Sequence, residues 1–95
     1  MTVRWTEKAV ADLEAIEAHL TLGSERYARA LIGRIVDRSE RLSQFPQSGP
    51  IVTEYGDKSL RELFEHPYRI IYRLLEQEIE ILTVIHSARI LPREV

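Results

Sequence analysis

Apolar and polar residues alternate at the start of the chain, Val3 and Trp5 against Thr2 and Arg4. A two-residue period is that of a half-buried strand, so Thr2–Thr6 is expected to be extended. The period then lengthens. Ala9, Leu13, Ile16 and Leu20 recur at spacings of four, three and four, which places them on one face of a helix. Thr6 can cap that helix, Glu7 suits the positive end of its dipole, and Gly23 stops it. Ser24 can cap a second helix with a wide apolar stripe of Ala28, Leu31, Ile32, Ile35, Val36 and Leu42. Glu25 to Arg29 and Asp37 to Arg41 are i,i+4 pairs in the favourable order. This helix must end before Pro46, and Pro46-Gln47-Ser48-Gly49-Pro50 reads as a loop. A short link around Gly23 makes the two helices antiparallel neighbours.

After Pro50 the pattern is that of strands. Ile51–Tyr55 is expected to be a short one, followed by a turn at Gly56-Asp57-Lys58-Ser59. Leu60–Glu65 and Tyr68–Glu76 follow, separated by His66-Pro67. A turn at Gln77-Glu78 then makes an antiparallel hairpin with Ile79–His86. The tail Ile90–Val95 contains Pro92 and should be irregular. Its apolar residues Ile90, Leu91 and Val95 have no obvious partner, and such leftover surface often docks another protein. The order is β-α-α-β-β-β: an α+β fold with a helical hairpin on one face of a small, mostly antiparallel sheet.

Composition narrows the function classes. At 95 residues, 44% hydrophobic and 29% charged, the chain is one ordinary globular domain spanning 1–95. There are no cysteines, so disulfides and thiolate metal sites are excluded. No apolar run approaches the roughly 20 residues of a membrane helix. The N-terminus lacks a signal-peptide core, so a cytoplasmic location is expected and no membrane partner. Formal net charge is −2, which argues against a general nucleic-acid binder. The first fifty residues carry seven basic and seven acidic side chains, so any basic surface must be local.

The candidate chemistry lies in the strands. In Tyr68–Glu76, residues Tyr68, Ile70, Tyr72 and Leu74 share one face, and Arg69, Ile71, Arg73 and Leu75 the other. If the first set packs on the helices, Arg69 and Arg73 point away from them. Strand pairing could bring Arg61 and His86 or Arg89 beside them, giving an anion or phosphate site of guanidiniums and one imidazole. The plainer alternative is cross-strand pairing of these arginines with Glu62, Glu65, Glu76 and Glu80. His86 could serve as an acid, and Glu54 as a base. Trp5 reads as core. His19, His66 and His86 have no metal-site spacing, there is no phosphate loop, and no cofactor or metal is expected.

Thr6-Glu7-Lys8-Ala9, Asp12-Leu13, Ile16, Pro46, Gly49, Arg61-Glu62-Leu63, Tyr68-Arg69-Ile70-Ile71-Tyr72-Arg73 and Ile81 through His86 to Arg89 together resemble the RelE/ParE superfamily of toxins. The resemblance covers nearly the whole chain. It implies a toxin of a type II toxin–antitoxin system, neutralised in a hetero-oligomer by a cognate antitoxin of ribbon-helix-helix type. RelE-like members cut mRNA on the ribosome, whereas ParE-like members block DNA gyrase. Arg61 and Arg69 match arginines of several nuclease members. The His-Tyr ending of some nucleases is missing, however, because Ala88 and Arg89 stand there. The lysine-rich loop of others is reduced to Lys58, and the ending His86-Ser87-Ala88-Arg89 looks more like the ParE branch. The resemblance therefore implies gyrase inhibition without enzymatic chemistry, with Arg61, Arg69, Arg73, His86 and Arg89 as target-binding residues. The alternatives are a ribosome-dependent endoribonuclease using Arg61, Arg69, His86 and Arg89, and a non-toxic antitoxin-binding module.

Overall fold

Two hydroxyl caps set where the helices begin. In the computed structural model, which describes residues 1–95, the Thr6 side chain accepts from Ala9 N at 3.1 Å and Ser24 from Tyr27 N at 3.1 Å. Each satisfies an amide that the first helical turn leaves without a partner. The elements are β1 (Thr2–Trp5), α1 (Glu7–Thr21), α2 (Glu25–Glu40), a 3-10 turn (Arg41–Ser43), β2 (Leu60–Glu65), β3 (Tyr68–Leu74) and β4 (Glu78–His86). The sheet order is β1-β4-β3-β2, with β1 parallel to β4 and the other pairs antiparallel. No helix is long and apolar enough to cross a membrane.

The helical hairpin covers one face of the sheet. Ala9 of α1 and Leu31 and Ile35 of α2 pack on Leu63, Tyr68, Ile70, Tyr72, Ile79, Ile81 and Val84, all buried. Trp5 is half-buried against this core. Leu42, expected on the second helix, enters the core from the 3-10 turn instead.

The other face is covered too. Val52, Leu60 and Ile71 form a second, smaller core, with Tyr55, Leu82, Ile85, Leu91 and Val95 packed against it. The cover is irregular chain: the loop 51–59 and the tail 87–95. The tail residues Leu91 and Val95 thus have a partner within the chain, whereas Ile90 is 95% exposed. The Tyr55 hydroxyl donates to Pro92 O at 2.6 Å and joins the two covering pieces.

Ile51–Tyr55 is not a strand. Only Ile51 bridges to Arg61, and the chain then turns to reach Gly56, whose φ of 62° suits a residue without Cβ. Strand β3 stops at Leu74 rather than Glu76, and Glu78 already belongs to β4. Between Ile71 and Tyr72 the register of β3 on β4 shifts, and Leu82 is left without a partner. The bulge adds one residue to β4 and breaks its alternation there. Leu82 and Ile85 face the second core, Val84 faces the first, and the Thr83 hydroxyl donates to Asp12 of α1.

Candidate functional site

The five basic side chains singled out above do not form one cluster. Arg61 pairs across the sheet with Tyr72, so it lies on the helix side, not with Arg69 and Arg73. Its Nη1 donates to Gly49 O at 2.8 Å and Gln47 O at 3.3 Å, and its Nε is buried without a partner. It holds the 46–50 loop. The same loop is held by Tyr72, fully buried, whose hydroxyl donates to Pro46 O at 2.9 Å and accepts from Gly49 N at 3.1 Å. Burial raises the pKa of that phenol, which therefore stays protonated. Gly49 has no room for a side chain, since a Cβ there would stand 2.2 Å from Glu62 O.

Arg69 and Arg73 do point away from the helices, but both are engaged. Arg69 gives Nε and Nη2 to Glu62 at 2.6 and 3.0 Å, and Nη1 and Nη2 to Glu54 at 2.8 and 3.1 Å. Two carboxylates thus grip one guanidinium whose side chain is only 11% exposed. These charge-assisted bonds are the stronger kind. The hydrogen bond from Arg69 is the main reason the Glu54 carboxyl is pulled down from 4.5 to about 2. The same contacts, Glu54 first and then Glu62, raise the pKa of Arg69. A carboxylate so easily ionised is a poor general base near neutral pH. Arg73 donates to Ser59 Oγ at 2.9 Å and pairs with Asp57 at 3.3 Å. Hydrogen bonds from Ser59 lower the Asp57 pKa, with Arg73 adding to the effect.

His86 and Arg89 are placed differently. His86 pairs with Tyr68, hence lies on the helix side, and the two rings meet edge to face with centroids 5.4 Å apart. Its Nδ1 accepts from Ala88 N at 3.0 Å, so the neutral ring carries its proton on Nε2. Arg89 is exposed and enters none of the ion pairs of the chain. It borders two concavities. One is a cleft on the outer face shared with Arg69, Glu54, Tyr55 and Arg93. The other is a groove of about 430 Å³ between α1 and the end of β4, where Lys8, Asp12, Ile16 and His19 face Val84 and His86.

The sequence does not mark the residues that line this groove. Ile16 belongs to the apolar stripe of α1, and the polar Lys8, Asp12 and His19 lie beside it at helical spacing. Asp12 accepts from Thr83 Oγ1, Val84 N at 3.3 Å and Lys8 Nζ at 3.0 Å, contacts too distant in sequence to be read from pattern. It ties α1 to the bulge in β4 and so forms the groove wall.

A helical hairpin on a four-stranded mixed sheet is the architecture of the ParE and RelE toxin structures that this chain superposes on. Residues 3–91 match the family described as the ParE toxin of type II toxin–antitoxin system, parDE. The chain belongs to this ParE toxin family. Among curated relatives, Y4kP of Sinorhizobium fredii is 34% identical over 90% of this chain and 86% of its own length. Toxin RelE2 of Caulobacter vibrioides is 32% identical over 93% and 97%. A chain of the chromosomal ParDE system from P. aeruginosa superposes with a TM-score of 0.74 at 30% identity, covering 90% of this chain and 95% of that one. A chain of the RelBE2 toxin–antitoxin complex from Mycobacterium tuberculosis shares the fold, with a TM-score of 0.65 at 22% identity over the same shares.

Proposed function

We propose that this toxin acts by occupying a surface of DNA gyrase, without chemistry of its own, and that a cognate antitoxin neutralises it in a hetero-oligomeric complex. The observation that carries the reading is the state of the arginines. A phosphate-cleaving site needs guanidiniums available to charge that develops on the phosphate, together with a base able to take a proton. Here Arg69 is held by Glu54 and Glu62, Arg61 by the carbonyls of the 46–50 loop, and Glu54 is too acidic to act as the base. In this reading Arg61 and Arg69 brace loops, Arg73 stiffens the turn at Asp57, and His86 and Arg89 contact the target directly.

The experiment is a supercoiling assay with purified gyrase, run beside a map of mRNA 5′ ends in cells expressing the chain. Loss of supercoiling with intact transcripts is the expected result. One observation favours the ribonuclease alternative: Arg69, Arg89 and Arg93 border the same outer cleft. Cut transcripts with untouched gyrase would establish that alternative. Normal growth without antitoxin and no effect in either assay would leave a non-toxic antitoxin-binding module.

A further inference from the structure

Arginine recurs along one flank of α2. Arg34, Arg38 and Arg41 stand four and three residues apart, so they share an arc of about 60° at 3.6 residues per turn. Arg41 caps the helix and keeps helical backbone angles, φ −64° and ψ −18°. The arc runs beside the buried positions Leu31 and Ile35 and faces β2, because Arg34 Nε donates to Glu65 of that strand at 3.3 Å. β2 is an edge strand, so no further strand covers this flank.

The flank is short of negative charge. Glu65 is the one acid paired with it, and two arginines share that carboxylate: Arg38 Nη1 stands 3.9 Å away, too far for a hydrogen bond. A guanidinium has five N–H donors, so Arg34 and Arg38 keep most of theirs for a partner, and their side chains are 50% and 43% exposed. Arg41 is exposed and enters none of the ion pairs of the chain, so the pair with Asp37 expected from spacing does not form. Asp37 and Glu40 lie about 40° and 100° beyond Arg41 around the helix, on the side away from β2. Arg61 is on the helix side of β2 but is committed to the 46–50 loop. Three cations thus meet one carboxylate, in a chain whose net charge is −2.

We propose that the flank formed by Arg34, Arg38 and Arg41 binds the phosphate backbone of duplex DNA, so that the toxin grips the DNA that gyrase holds as well as the enzyme. The proposal deepens the gyrase reading above and rests on it. From Arg34 to Arg41 the helix rises about 10 Å at 1.5 Å per residue. One strand of the duplex carries a phosphate about every 3.4 Å of axis, so that length meets about three phosphates. Arginine suits them, because its planar fork matches phosphate geometry. An acidic peptide fits less well. A peptide gains most of its affinity from apolar anchors in pockets, and Leu31, Ile35 and Leu42 beneath this flank are fully buried. A phosphate backbone asks only for charge and N–H donors.

The test pairs fluorescence anisotropy of a short labelled DNA duplex, titrated with the full chain, with a gyrase supercoiling assay. Three phosphate contacts give a slope of about −2.7 in log affinity against log salt, which is about fortyfold weaker binding between roughly 20 and 80 mM. Arg41→Gln, which has no internal partner to lose, should make that slope shallower by about one. The triple variant Arg34→Gln, Arg38→Gln, Arg41→Gln should lose duplex binding and need about tenfold more protein to inhibit gyrase, with circular dichroism verifying that it folds. A wild-type toxin that leaves the duplex unbound at the lowest salt, or a triple variant that binds and inhibits like wild type, would overturn the proposal while the gyrase reading stands. Duplex binding that depends on these arginines, with gyrase untouched, would support the flank and overturn the gyrase reading. Tighter binding of an RNA duplex, or of polyglutamate, than of DNA would overturn the choice of DNA.

Discussion

Tyr72→Phe removes one oxygen from a fully buried ring and leaves the ring's packing unchanged. That oxygen serves two backbone groups, the Pro46 carbonyl at 2.9 Å and the Gly49 amide at 3.1 Å. Each lost bond has a net worth of about 1 kcal/mol, and an amide left unpaired when buried costs up to about 3. Gly49 is buried, so its N–H has no easy route to water. Pro46 is half-buried and its carbonyl can be rehydrated. The sum is about 2–3 kcal/mol, a large share of the roughly 5–15 kcal/mol of a typical domain. For a chain of this size each kcal/mol moves the melting point by about 4–8 °C, so a fall of roughly 8–24 °C is expected. Urea unfolding should show a lower midpoint at an unchanged slope, and amide exchange at Gly49 should quicken. A midpoint equal to wild type would refute the idea that this hydroxyl anchors the 46–50 loop.

Three further substitutions probe other features. Gly49→Ala places a methyl 2.2 Å from a backbone oxygen that cannot swing aside, and chemical denaturation should show a loss of about 1–3 kcal/mol or more; full stability would show that the loop can lift. Gly33 is an exposed mid-helix residue, and a methyl added to it would meet nothing within 4 Å, so Gly33→Ala should raise stability by about 0.5–1 kcal/mol in the same assay, and a decrease would contradict it. The Glu54 carboxyl ionises at about 2 in the fold against 4.5 ordinarily, so between those values the unfolded chain binds more protons. Its contribution is therefore present above pH 4.5 and is lost as pH falls toward 2. Glu54→Gln should flatten that part of the stability profile measured by acid titration, and an identical slope in the variant would count against the Arg69 pairing. Because Glu54 is about half exposed, the effect should shrink in high salt.

The element order was legible because the two helices and the β3–β4 hairpin carry clean periods of 3.6 and 2. The caps Thr6 and Ser24 were legible for the same local reason: the side chain and the amide it serves are three residues apart. Facing was harder in β2. Leu60 and Leu63 are an odd number of residues apart and so lie on opposite faces, because both sides of the sheet are covered. No alternation in β2 could place Arg61, and it went to the helix side. The partners of Arg69 could be read only in part. Glu62 lies on the adjacent strand, as cross-strand pairing allows, but Glu54 comes from a loop fifteen residues away whose path depends on Gly49 and Tyr72. The tail was misjudged because Leu91 and Val95 follow no period, and only the fold shows the second core they close.

The N-terminal strand is hydrogen-bonded only to the last one, Thr2 opposite Glu78 and Trp5 opposite Ile81. During synthesis the opening residues must wait, unpaired, until nearly all the rest has been made. A polypeptide interrupted before residue 78 lacks the central strand that joins β1 to β3, so β1 has nothing to pair with. The complete four-stranded sheet therefore forms only once translation has run almost to its end.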